Sequence, residues 1–146
     1  MIDATELMTV VDTVVEKRGE DWKYPNWKDV YEHLADEEER DNFWLPEGCH
    51  YFWAEDDVEA GKLLGLDLVR GEPACLVGAV LAELNLIDMI TEEDNGNGVM
   101  SLDVLESALD YPVQTLLLVG QDSQDRGDTW GTARDKMRQR LADGPE

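Results

Sequence analysis

Positive charge is what this chain most lacks. Twelve Lys and Arg stand against 34 Asp and Glu, a formal net charge of −22 over 146 residues. Between Gly71 and Asp125 there is neither a Lys nor an Arg. A field of that sign repels phosphate backbones and anionic lipid headgroups, which argues against direct nucleic-acid binding and membrane adhesion. It attracts basic proteins, and salt screens the attraction. Histidine and cysteine are also scarce: His33, His50, Cys49 and Cys75 are the full set. Cys49 and His50 are neighbours in an expected strand, so their side chains would point to opposite faces. That disfavours both a zinc site completed by Cys75 and a Cys–His nucleophile pair. There is no phosphate-cradling glycine loop and no serine-hydrolase motif. No apolar run reaches membrane-spanning length, and the N-terminus lacks the basic lead-in of a signal peptide. These absences predict a cytoplasmic, non-enzymatic chain with two reduced thiols and no cofactor.

What is present is core material. Hydrophobic residues make up 42%, with 5 Trp and 4 Tyr, enough for one domain over 1–146 without disulfide or metal support. Leu7, Val10, Val11, Val14 and Val15 fall on one helical face after a cap at Asp3 or Thr5, and Gly19 closes that helix. Asn26 caps a second helix through Val30, Tyr31 and Leu34. Pro46-Glu47-Gly48 reads as a turn. CHYFW (49–53) then reads as a strand, with a partner at 63–69 joined by the acidic loop EDDVEAG. Pro73 opens a helix, CLVGAVLAEL, that is apolar all round and is placed at the centre. Gly78 within it costs up to about 1 kcal/mol relative to Ala unless another backbone packs against it. Ser101 caps a short helix with Leu102, Leu105 and Leu109 inward, and Pro112 opens the next. Asp128 caps the last, with Trp130, Ala133, Met137 and Leu141 in phase. The expected fold is α+β: a mainly helical domain of about five or six helices with a small β-hairpin or short sheet.

EDNGNGVMSLDV (93–104) resembles a calcium loop. Glu93, Asn95, Asn97, Val99 and Ser101 take its first five ligand positions, and Gly98 its glycine. The closing bidentate carboxylate is replaced by Val104, so the stretch is read as a connector, its Asn-Gly pairs supplying turns. The aromatic-rich stretch from Trp22 to Trp53 could form a partner-binding face, but rings in a small domain more often build core. The acid clusters Asp36, Glu37, Glu38, Glu39 and Asp41, and Glu55, Asp56, Asp57 and Glu59, are solvated faces or a partner-binding surface. In the sharper version their carboxylates imitate DNA phosphates.

Three blocks carry a resemblance: Cys49-His-Tyr51, Pro73-Ala-Cys75-Leu-Val-Gly78, and Gln121-x-x-Gln124-Asp125-x-Gly127-x-x-Trp130-x-x-Ala133. Together they resemble a pattern in small uncharacterised proteins of mycobacteriophages and related actinobacterial phages, over residues 49 to 135. The helix after Gly78 lacks the histidines associated with that family. The resemblance implies phage origin and action in the host cytoplasm, without supplying a reaction. On the residues themselves, Gln121, Gln124, Asp125, Gly127 and Trp130 read as a structural clasp, with Asp125 a candidate acceptor for the Trp130 indole. The leading expectation is a phage accessory protein that binds a host protein, itself basic, through its acidic surface. The alternatives are a DNA mimic inhibiting a host nucleic-acid-binding enzyme and a small metal-dependent hydrolase.

Overall fold

The computed structural model describes residues 2–25, 27–32, 34, 36–38, 50–63, 65–95 and 107–144. Its helices are α1 (Ala4–Arg18), α2 (Trp27–Glu32), α3 (Glu55–Leu63), α4 (Leu76–Glu83), α5 (Tyr111–Asp125) and α6 (Trp130–Ala142), with a 3-10 turn at Ile87–Met89. In α1, Asp3 Oδ1 accepts the Glu6 N–H at 2.8 Å. Lys17 and Arg18 complete the last turn, where cations suit the helix dipole. Leu7, Val11, Val14 and Val15 fill the buried face.

Helix α4 lies between α1 and α5, and every residue from Leu76 to Leu81 is buried. Helices α5 and α6 form the most extensive pair, and α6 also packs on α1. The main core joins Leu7, Leu76, Leu81, Leu117, Trp130 and Met137. A satellite of Trp27, Trp53, Ala60 and Ala74 ties down α2 and α3. No described helix is long and apolar enough to cross a membrane.

Among the described residues the expected β-hairpin is absent, and the fold there is mainly α rather than α+β. The run EDDVEAGKL is a helix, with Glu55, Asp56 and Asp57 in its first turn, where the dipole stabilises carboxylates. The Leu66 N–H turns back to Gly61 O at 2.9 Å, so the chain after α3 folds over the helix end. Residues 51–53 run beside 71–74 instead of 63–69. Trp53 N–H to Glu72 O, Gly71 N–H to Trp53 O and Ala74 N–H to Tyr51 O each measure 2.9 Å. Pro73 has no N–H to offer. The pairing stops at one antiparallel bridge, Phe52 to Pro73, and no strand forms among the described residues.

The start of α6 also differs from expectation. Thr129 is its cap, accepting the Thr132 N–H at 3.2 Å, while Asp128 is drawn aside by Ser123 and Lys136. The Trp130 and Gly131 N–H groups, which a helix start leaves without internal partners, donate to Trp22 O and Glu20 O at 2.9 and 2.8 Å. Asn26, the turn at 46–48, Cys49, Ser101, Leu102 and Leu105 lie outside the described residues.

Candidate functional site

The acidic surface divides in two. Asp36, Glu37 and Glu38 are exposed, as are Glu55, Asp56 and Glu59 on the outer side of α3. Glu39 and Asp41 lie outside the described residues. Asp57 does not belong to this surface: it is fully buried. As the third residue of α3 it turns inward, and its Oδ2 accepts the Ala54 N–H at 2.9 Å, one half of a capping box.

Three donors converge on Asp57. Besides Ala54, the Trp27 indole N–H donates to Oδ1 at 3.2 Å, and His50 Nδ1 lies 2.6 Å from Oδ2. Donating this hydrogen bond to the Asp57 carboxylate raises the His50 pKa above its ordinary value, against the opposing effect of burial. The His50 backbone N–H donates to the Tyr24 hydroxyl at 3.1 Å, and the Tyr24 ring stacks on Trp53. A carboxylate on Nδ1 is the orientation a general-base histidine needs. Here the same carboxylate also fastens the Trp27 indole of α2 and the start of α3. Sequence reasoning missed it; the signal available was an acid three residues after Ala54, at the capping-box position.

A second cluster centres on Gln124. Its Oε1 accepts two buried donors at 2.9 Å, the Leu76 N–H at the start of α4 and the Trp130 indole. Asp125, one candidate acceptor for a free N–H or the indole, instead accepts from Gln121 Nε2 at 3.2 Å. Gly127 makes the turn between α5 and α6 with φ +94°. Arg18 completes the region. Its guanidinium lies 4.6 Å and 4.7 Å from the Trp22 and Trp130 ring centroids and donates to Pro73 O at 3.0 Å. Burial pushes the Arg18 pKa down, but arginine keeps its charge. The spacing of Arg18 and Trp22, four apart at a helix end, was the readable hint.

The metal readings meet these facts. Asn95, third in the calcium template, uses its Oδ1 to accept the Tyr51 and Phe52 N–H groups and its Nδ2 to donate to Phe52 O. Residues 96–104 of that template lie outside the described set. Cys75 is buried and caps α4, its Sγ accepting the Gly78 N–H at 3.3 Å. Cys49 and His33, the other soft-ligand candidates, are outside the described residues. Among those described, no group of three His, Cys, Asp or Glu could hold an ion. No protein-family model matches the chain, and no curated protein or solved structure is significantly similar to it.

Proposed function

We propose that the chain is a non-enzymatic binding protein that takes a basic protein partner onto the acidic surface formed by α3 and residues 36–38. What carries this reading is where the few cations go. Lys17 pairs with Glu83, Arg134 with Glu20, Lys136 with Asp128 and Arg138 with Asp12. Arg18 is enclosed by two tryptophans. Six of the twelve cations thus lie on α1 and α6, and these ion pairs are worth about 0–1 kcal/mol each. Asp36, Glu37, Glu55 and Asp56 form no ion pair with a described residue, and Glu59 has only the exposed Lys62. Carboxylates left this way raise the encounter rate with a basic partner and lose their effect in salt. The phage-like residue blocks would make that partner a host protein met during infection.

The test is retention of host proteins on the immobilised chain at low and high salt, with wild type and with Glu55→Gln/Asp56→Asn/Glu59→Gln. Expected is a partner that is released by salt and held weakly by the triple variant. Binding indifferent to both overturns the electrostatic reading. Adding duplex DNA separates the mimicry version, which requires DNA to displace the chain from its partner.

A further inference from the structure

Helices α2 and α3 stand apart from the main core. Neither packs extensively on another described helix. Both are tied to the rest of the fold through the satellite of Trp27, Trp53, Ala60 and Ala74. The polar fastening of that satellite is Asp57. Its fully buried carboxylate takes donors from the Ala54 N–H ahead of α3, the Trp27 indole of α2 and His50 Nδ1 on the segment leading to Tyr51. Of the three, His50 alone can carry positive charge, and the ion pair of Asp57 among the described residues is with His50. A buried carboxylate left with neutral donors is costly.

We propose that His50 and Asp57 form a pH-operated latch: protonated His50 holds α2 and α3 against the 51–54 segment, and loss of its proton lets the two helices open locally while α1, α4, α5 and α6 stay folded. Segments with few buried apolar partners are where such local opening occurs. The groups around the imidazole set its direction. Among the described residues, Asp57 and Asp56 act on it from α3, and the Tyr24 hydroxyl, between α1 and α2, accepts the His50 backbone N–H. The Asp57 hydrogen bond is the largest cause of the raised His50 pKa, burial opposes it, and both carboxylates favour the imidazolium. Opening returns His50 to its ordinary value, about 6.5. The latch is therefore fully held below about pH 6.5 and weakens as pH rises through the higher closed-state value. Neutral His50 can still donate from Nδ1, but it no longer offsets the buried charge. Glu55, Asp56 and Glu59 ride on this unit, so a partner of the acidic surface meets a seated α3 only while the latch is closed. That consequence rests on the acidic-binder reading, whereas the latch is tested without a partner.

Native-state hydrogen exchange of the full chain from about pH 6 to about pH 8, corrected for intrinsic rates, reads the opening directly. The Val58 amide of α3 bonds to Ala54 O at 3.2 Å. It is expected to be at least about tenfold less protected than the Leu117 amide of α5, and to lose up to about tenfold in protection per pH unit above 6.5. Low urea should leave Val58 exchange unchanged, because opening a small unit exposes little surface. His50→Gln and Asp57→Asn each remove one charged partner, and in both the pH slope at Val58 is expected to vanish. Loss of all Val58 protection in His50→Gln, with Leu117 still protected, also supports the latch, as the unit then stands open. Equal protection at Val58 and Leu117 makes the chain one cooperative unit and overturns the proposal. A flat pH profile at Val58 in wild type, or a slope that survives in either variant, overturns it too.

Discussion

A methyl group at position 78 would stand 1.8 Å from the Tyr51 carbonyl oxygen. Gly78 is therefore set by the backbone crossing it, in the middle of a helix where glycine is otherwise unfavourable. Gly78→Ala is expected to cost about 3 kcal/mol, the upper end for overpacking, because the obstacle is main chain. Urea unfolding measures this, and a cost below about 1 kcal/mol would show that the 51–53 segment can move aside. His50 supplies the pH dependence at this scale. Its folded-state pKa lies above the unfolded value because Asp57 holds the proton, with Asp56 adding to the attraction. The stabilisation is fully present below about pH 6.5, the unfolded value, and is lost as pH rises through the higher folded value. Melting temperature should therefore fall across that window in wild type, and fall less in His50→Gln. Equal slopes would remove the pair from the stability account.

Between elements, one buried amide joins three helices. Gln124 on α5 fastens the start of α4 and the indole that begins α6. Gln124→Leu would strand two buried donors, with an expected loss of about 3 kcal/mol shared between helix packing and desolvation. Native-state hydrogen exchange should show the Leu76 amide losing protection; protection retained at the wild-type level would mean another acceptor takes over. In sequence the candidate acceptor for the indole is Asp125 instead, although Gln124 follows Leu117 by seven and Gln121 by three, on the buried stripe, while Asp125 lies about 100° round the helix. Helices α1 and α6 were legible from apolar periodicity, α4 as an apolar run after Pro73, and α5 from its opening at Pro112. Helix α3 was not. Among the described residues its inward face offers the small Ala60 and half-buried Val58, and its acids read as a loop. The burial of Asp57 was hidden because two of its three donors come from 7 and 30 residues away. The hairpin failed because 51–53 runs beside 71–74, while the Leu66 N–H turns back to Gly61 O at the end of α3.

For the molecule as a whole, self-repulsion is the standing cost of a net charge of −22. Raising NaCl from about 0.01 M to about 1 M shortens the screening length from about 30 Å to about 3 Å. The exposed ion pairs lose little, since each contributes about 0–1 kcal/mol to begin with. Melting temperature is expected to rise by about 3–6 °C over that range, corresponding to about 1–2 kcal/mol for a chain of this size. A flat or falling melting temperature would mean the local pairs outweigh the global repulsion. The same salt series would weaken partner binding, so stability and affinity should move in opposite directions.

Trp22 and Trp130 bring their ring centroids to 4.7 Å at an interplanar angle of 68°, beside the Arg18 cation. Two indole chromophores so close and so tilted share their excited states, which gives a paired positive and negative band in ultraviolet circular dichroism. The chain thus carries its own optical gauge of whether α6 is seated on the segment following α1. Replacing either ring with phenylalanine should erase the couplet while leaving the helical signal in place.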